Sequence, residues 1–282
     1  MKSSLTPKDL LTKLKSSTMQ HWEILNCEQV VNQLEIKGKL RIYAGFEASG
    51  LAHIGHLPVI SLLANFAKYT NCQVYLLVSS IHGKLNNKAD YEQELKKQFQ
   101  GYLKNTKIIF VWVSDYRDFQ TSPSQWYNYL RLVETTTLRR ACRGLDTTGK
   151  LKDPLTNKLS ALTYPLLQGT DMLSLDIDLA IAGIDQRKIH MLNHEMFNKL
   201  KIPKKGFIHL KSLLVNPLTG VKFSKSKGDL ALGLDHNMYS TYLDKFTSIQ
   251  LSTLMDNLAL YFNIQNKQDL INLLVQLDPC MV

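Results

Sequence analysis

The chain alternates short apolar runs with longer segments of helical spacing. Leu40 to Phe46 (LRIYAGF), Gln73 to Val78 (QVYLLV) and Lys107 to Val113 (KIIFVWV) are bounded by polar turns, and Leu179 to Ile184 (LAIAGI) repeats the pattern later. Runs of this length, separated by helix-length stretches, predict buried parallel strands with crossover helices. Leu57 to Tyr69 and Trp126 to Arg143 have helical spacing, and another helix is expected to start near Asp185. The pattern predicts an α/β fold built on a Rossmann-like, doubly wound parallel sheet. Gly220 to Gly228 (GVKFSKSKG) reads as a basic loop. Beyond it, Asn237 to Leu277 reads as short helices, with Leu251, Leu254, Leu258 and Leu260 packing a small all-α unit onto the main body.

Composition narrows the picture only a little. The 282 residues carry a formal net charge of +10, which suits a polyanionic partner such as nucleic acid and equally suits a lysine-rich, well-solvated surface. No apolar run approaches the roughly 18 residues that would suggest a membrane span, so no membrane partner is expected. The four cysteines, Cys27, Cys72, Cys142 and Cys280, form no CxxC pair, so neither a zinc site nor a redox motif is expected. Scattered thiols fit a reducing compartment. Met1 to Met19 is rich in Lys, Ser and Thr and lacks both a signal-peptide apolar core and the arginines of a mitochondrial presequence. A cytoplasmic protein is expected.

Two short motifs carry candidate chemistry. In Tyr43-Ala-Gly-Phe-Glu-Ala-Ser-Gly-Leu-Ala-His53-Ile-Gly-His56 a strand ends, glycines permit close backbone approach, and two histidines stand three apart at a helix start. Helix N-termini favour phosphate through their free N–H groups and dipole, and imidazoles there can add hydrogen bonds. A turn with two satisfied histidines reads the same way. The motif is neither GxGxxG nor a P-loop. In Lys222-Phe-Ser-Lys225-Ser, two lysines could bring positive charge to a triphosphate; alone, a solvated basic turn is the simpler reading.

Taken together, the two motifs resemble the paired signatures of class I aminoacyl-tRNA synthetases. Tyr164-Pro-Leu-Leu-Gln168-Gly-Thr-Asp171 and Gly183-Ile-Asp-Gln186-Arg187-Lys188-Ile-His-Met-Leu further resemble the tyrosine enzymes of the archaeal and eukaryotic type. The resemblance runs from about Arg41 to Gly228. It implies that Tyr43 and Asp171 hold a substrate phenol, an Asp accepting the phenolic proton and a Tyr hydroxyl donating to the same oxygen. It implies that Tyr164, Gln168 and Gln186 bind the substrate amino group, with Glu47 and His82 also in the tyrosine pocket. Gly45, His53, Gly55, His56, Lys222, Ser224 and Lys225 would bind ATP, and His53, His56, Lys222 and Lys225 would be the catalytic set. Arg139, Arg140, Arg143, Arg187 and Lys188 would contact tRNA. Tyr164 and Gln168 stand four apart and are also compatible with ordinary helix packing.

Some positions depart from the family pattern. Ala48 stands where a proline is usual, Ser80 replaces an acidic residue in the stretch ending at His82, Arg117 lies near an expected glutamine, and Phe223 replaces a methionine. The implied reaction joins tyrosine to ATP and then to the end of tRNA(Tyr). Magnesium would arrive with ATP, and neither a tightly bound cofactor nor a protein metal site is expected. Residues 1–228 would be the catalytic domain, with about 116–162 as the connective segment through which the family forms homodimers. Residues 229–282 would be a short helical region in place of a larger anticodon-binding domain. An RNA-binding protein without charging activity, tyrosine activation for another acceptor, and tryptophan as substrate are the competing readings.

Overall fold

The computed structural model describes residues 6–16, 20–85, 88–113, 123–142, 159–211, 213–223, 230–259 and 262–277. At its centre is a six-stranded sheet: β1 (Trp22–Leu25), β2 (Leu40–Glu47), β3 (Cys72–Ser79), β4 (Ile109–Val113), β5 (Leu179–Gly183) and β6 (Gly206–Leu210). Their spatial order is β1-β6-β5-β2-β3-β4. All neighbours run parallel except β1, an antiparallel edge strand on β6. The predicted strands are present, each within a few residues of its expected bounds. β1 and β6 were not foreseen. β3 and β4 are added on one side of β2, and β5 and β6 on the other, which makes the gap between β2 and β5 the point where strand order reverses. Ligands of doubly wound sheets bind outside the carboxyl ends of the strands at such a point.

Helix α1 (Pro7–Leu14) opens the chain behind Thr6, whose side chain caps Asp9 while Asp9 caps Thr6 in return. α2 (Cys27–Lys37) leads from β1 to β2, and α3 (Leu57–Phe66), nearly all of it buried, crosses from β2 to β3. Two more follow: α4 (Ser80–Leu85) and α5 (Glu92–Tyr102). Then come α6 (Pro123–Leu130) and α7 (Thr135–Cys142). The helix expected over Trp126 to Arg143 is therefore two helices. The break spans residues 131–134, with Val133 inside it and Thr135 to Thr137 just after it, β-branched residues that lose χ1 freedom inside a helix and sit better near its start. α8 (Leu159–Ser174) and α9 (Arg187–Lys199) pack on each other and share a core cluster with Tyr43, Leu77, Ala180 and Phe207 of the sheet.

The remainder is a small hairpin, β7 (Val215–Asn216) with β8 (Val221–Lys222), and three helices, α10 (His236–Leu243), α11 (Ser248–Ala259) and α12 (Lys267–Val275). Part of the expected basic loop is thus strand: Val221 and Lys222 pair with Asn216 and Val215. The terminal helices share the main core. Leu254, Leu258, Leu270 and Leu274 join one cluster with Ile42, Leu76 and Phe99 from the sheet and α5. Leu251 is partly buried against the same cluster, and Leu260 lies outside the described residues. The Tyr102 hydroxyl donates to Leu273 O at 2.7 Å, and Gln98 Nε2 donates to both Ala52 O and Leu232 O.

At the amino ends of β2 and β5 the chain is tied by ions. The buried Asp178 accepts from Lys37 Nζ at 2.8 Å and from Arg41 N at 2.9 Å, and Lys205 Nζ lies 3.5 Å from Asp176. The carboxyl ends of the same strands are left open. Gly101 in α5 offers a clean test of helix propensity, because a Cβ there would meet nothing within 4 Å. Gly101→Ala is expected to raise stability by ~0.5–1 kcal/mol, read as a higher urea midpoint with an unchanged slope.

Candidate active site

A cavity of about 1380 Å³ opens at the carboxyl ends of β2 and β5. Its floor comes from β2 (Tyr43, Gly45, Glu47), α4 (His82) and α8 (Tyr164, Gln168, Asp171), with Gln186 entering from the turn that follows β5. Its other end is formed by His53, Gly55 and His56 and by Lys222 and Phe223. Every candidate tyrosine-side residue lines this one space. So do the described candidates on the ATP side; Ser224 and Lys225 lie outside the described residues, as do Arg117 and Arg143.

The floor is buried and polar. Tyr43 Oη, Gln168 Oε1, Asp171 Oδ1 and Gln186 Oε1 are all buried with no hydrogen-bond partner among the described residues. Buried polar groups are nearly always paired, so an unpaired group in a cavity wall points to a ligand. Burial pushes the Asp171 carboxyl well above its ordinary value. Burial and then the nearby Asp171 also push the Tyr43 phenol upward, while Gln168 works the other way. His82 Nε2 sits 3.4 Å from Asp171 Oδ2 without the alignment of a hydrogen bond, and its ring packs 4.8 Å from that of Tyr164. Burial pushes His82 down to about 4, against the pull of Glu47, so its ring is neutral near pH 7. A neutral imidazole cannot compensate the Asp171 charge, and a donor from a bound molecule could.

At the other end, a 3-10 turn over Ile54–His56 runs straight into α3. His53 Nδ1 accepts from Gly55 N at 3.1 Å, and His56 Nδ1 accepts from His53 N at 3.0 Å. With both Nδ1 atoms accepting, each neutral ring carries its proton on Nε2, the tautomer that can donate to a phosphate. The segment following the lysine motif straps this turn in place. Ile54 N donates to Leu230 O, Leu232 N donates to Ala52 O, and His53 bridges to Ala231. Gly55 is required by close approach: a Cβ would stand 2.9 Å from the His53 ring and 3.1 Å from Phe223 Cβ. Phe223 is itself buried, which explains how an apolar replacement is accommodated there. Lys222 is exposed, 4.0 Å from Asp185.

The other departures also have local reasons. Ala48 N donates to Ser79 O at 3.0 Å, a bond a proline could not make. Ser80 is buried, and its hydroxyl donates to Val113 O at 3.3 Å. Three contributions were not legible beforehand. Lys88 reaches the cavity rim and pairs with Glu47 at 2.6 Å. Helix α10 lines the other end with Met238, Thr241 and Tyr242, a set at i, i+3, i+4 that marks one helix face, and Lys245 joins them from the turn that follows. Glu23 and His209 lie behind the floor, 3.1 Å apart at Oε2 and Nδ1. Of the candidate tRNA residues, Arg139 and Arg140 are exposed on α7 and Lys188 is exposed on α9, while Arg187 Nε donates to Glu23 at 2.7 Å. No cluster of three metal-ligating side chains occurs among the described residues, and no helix among them is long and apolar enough to cross a membrane.

Comparisons with known proteins agree with this geometry. Residues 35–276 match the family of tRNA synthetases class I (W and Y). The tyrosine–tRNA ligase of Archaeoglobus fulgidus is 34% identical over 229 residues, covering 78% of this chain and 68% of that protein. That of Methanococcoides burtonii is 36% identical over 215 residues, covering 72% and 64%. The chain thus spans about two thirds of the length of these curated relatives. The solved tyrosyl-tRNA synthetase of Archaeoglobus fulgidus, complexed with L-tyrosine, superposes with a TM-score of 0.69 at 25% identity, covering 97% of this chain and 93% of that one. A tryptophanyl-tRNA synthetase from Plasmodium falciparum shares the fold at a TM-score of 0.66 and 14% identity, covering 96% and 80%. With the match running through both histidine and lysine motifs and across most of the sheet, the chain belongs to the class I tRNA synthetases of the tryptophan and tyrosine family.

Proposed function

We propose that the protein activates tyrosine with ATP and transfers it to tRNA(Tyr). The observation that carries this reading is that Tyr43 Oη and Asp171 Oδ1 share one cavity floor, both buried and both without a hydrogen-bond partner among the described residues. A phenol fits that pair in both directions, donating its proton to Asp171 and accepting one from Tyr43. An indole N–H satisfies only the acceptor, so tryptophan leaves the Tyr43 hydroxyl unpaired. Tyr164, Gln168 and Gln186 take the substrate ammonium, with Glu47 and His82 completing the wall.

The substrate carboxylate is already an anion and needs no general base. It attacks the α-phosphorus of ATP in line; the new bond is carboxyl oxygen to phosphorus, and the bond broken leaves pyrophosphate. Catalysis is then positioning and charge stabilisation. Gly45 and Gly55 let the nucleotide approach the backbone. His53 and His56 serve its phosphates through Nε2–H, and Lys222, with Ser224 and Lys225 by family resemblance, closes on the pyrophosphate. Magnesium enters as part of the ATP substrate.

In the second step a hydroxyl of the terminal ribose of tRNA attacks the adenylate's acyl carbon; the ester forms, the acyl–phosphate bond breaks, and AMP leaves as the hydroxyl proton is released. Arg139, Arg140, Arg143, Arg187 and Lys188 form the basic side that would meet the acceptor stem. Residues 1–228 would be the catalytic unit and 229–282 the helical remainder. A homodimer through about 116–162 is in keeping with Tyr127 and Leu130, apolar residues exposed on α6, Tyr127 at 68%. A cytoplasmic setting supplies both ATP and tRNA.

The test is pyrophosphate exchange driven by tyrosine, tryptophan or phenylalanine, followed by charging of total tRNA. Exchange with tyrosine alone, and labelled tRNA after it, is the expected result. Exchange without tRNA charging would favour a different acceptor, and no exchange with tyrosine would remove the assignment.

A further inference from the structure

Behind the cavity floor a file of side chains, buried except at its half-buried Glu23 end, joins α8, α9, β6 and β1. Gln168 Nε2 lies 3.3 Å from His190 Nε2, His190 Nδ1 lies 2.8 Å from His209 Nε2, and His209 Nδ1 lies 3.1 Å from Glu23 Oε2. Arg187 Nε donates to both Glu23 oxygens, at 2.8 and 2.7 Å. His190 and His209 are buried. None of Glu23, His190 and His209 lines the cavity.

The file has a direction, and chemistry fixes it. Burial works against the Glu23 charge, yet the Arg187 and His209 contacts hold its carboxyl below the usual value, so it is an ionised, acceptor-only group. Burial, reinforced by His209, pushes His190 down to about 3, and burial also lowers His209 despite Glu23. Both rings are therefore neutral and carry one proton each. His209 must donate through Nδ1 to Glu23, which leaves its Nε2 to accept. His190 must then donate through Nδ1, which leaves its own Nε2 to accept. Only the NH2 of Gln168 can satisfy that nitrogen. The amide is thereby turned with Oε1 toward the cavity, where it has no partner among the described residues.

We propose that Glu23, His209 and His190 are positioning residues that set the Gln168 amide so that its carbonyl oxygen, and not its NH2, faces the substrate ammonium. The proposal rests on reading the cavity floor as an amino-acid site. An ammonium has three donors and no acceptor, so a reversed amide would oppose it with a second donor. The carboxylate at the far end of the file thus acts on substrate through three intervening side chains.

Glu23→Gln tests this, because a glutamine can donate to His209 Nδ1 and let the whole file reverse. In pyrophosphate exchange, which contains no tRNA and so does not engage Arg187, the tyrosine KM is expected to rise about 10- to 100-fold, the worth of a hydrogen bond to a charged group. The KM for ATP should hold. Inhibition by 3-(4-hydroxyphenyl)propanoate, which lacks the ammonium, should change less than twofold. Glu23→Asp, which keeps an acceptor-only group, should recover part of the loss. Side-chain nitrogen-15 spectra should show His190 and His209 with the proton on Nδ1 in the parent and on Nε2 in Glu23→Gln.

A tyrosine KM unchanged by Glu23→Gln in an enzyme that exchanges normally would overturn the proposal and leave the amino-acid site intact. Equal weakening of tyrosine and its deaminated analogue would also overturn it, since that marks a general disturbance of the floor. If the parent shows no exchange at all, the reading of the site fails instead. The nitrogen-15 tautomers then decide the chain alone: protons on Nδ1 in the parent that reverse in Glu23→Gln support it, and any other pattern overturns it.

Discussion

Asp171→Asn is expected to abolish most tyrosine activation while making the protein more resistant to heat, increasingly so as pH rises. Asp171 is 1% exposed, its Oδ1 has no partner among the described residues, and the imidazole 3.4 Å from its Oδ2, that of His82, is neutral. The phenol of the substrate is the donor that this carboxylate lacks. A hydrogen bond to a charged group contributes ~1.5–3 kcal/mol, and an asparagine that turns its NH2 toward the phenol adds a mismatch, so kcat/KM should fall ~100-fold or more. The stability effect has the opposite sign. Burial raises the folded-state pKa of Asp171 above the ordinary value of 3.8. The folded protein then holds a proton that the unfolded chain releases, so stability is intact below pH 3.8 and declines as pH climbs toward the folded-state value. Asparagine does not titrate. The gap in Tm between Asp171→Asn and the parent should therefore widen between pH 4 and pH 8, with saturating tyrosine narrowing it in the parent alone. A gap that is the same at both pH values would contradict the account of this carboxyl, as would undiminished exchange.

What the sequence makes legible follows from how local each signal is. Tyr43, His53 and His56 stand within one strand, turn and helix start, and Tyr164, Gln168 and Asp171 within one helix. Their types and spacings are written contiguously, and the fold brings the two groups to one cavity. The apolar runs of the central strands were plain because a strand buried on both faces needs apolar residues at nearly every position. Edge strand β1 gave no such signal: it is four residues long and only Trp22 in it is fully buried. The Glu23 to His209 contact joins residues 186 apart in the chain, and nothing periodic announces a pairing of that kind. Helix α10 carries its cavity-lining residues on one face, but that face looks from sequence like any amphipathic stripe. The single helix expected over Trp126 to Arg143 failed at Val133, where β-branched residues outweighed a continuous apolar pattern.

Gly169→Ala carries the largest expected cost to the fold. In isolation a helical glycine replaced by alanine gains ~1 kcal/mol, as expected at Gly101. At Gly169 the added Cβ would stand 2.2 Å from both Asn193 Oδ1 and Tyr129 Oη. Neither neighbour has room to yield. Tyr129 and Asn193 are wholly buried, the tyrosine hydroxyl donates to the asparagine carbonyl, and Asn193 Nδ2 donates to Pro165 O at 3.1 Å. Overpacking costs ~1–3 kcal/mol, and parting the Tyr129–Asn193 pair leaves buried polar groups unsatisfied at ~1–3 kcal/mol each. These terms exceed the helix gain, so a net loss of ~2–4 kcal/mol is expected in urea unfolding. Removing the Tyr129 hydroxyl takes away one of the two collisions. The double variant Gly169→Ala with Tyr129→Phe should therefore be more stable than the sum of the single losses predicts, by ~1 kcal/mol or more, as for other side chains in direct contact. Strict additivity would mean that helix α8 shifts as a body to accept the methyl group, which would also move Gln168 and Asp171 and show as a raised tyrosine KM in the single variant.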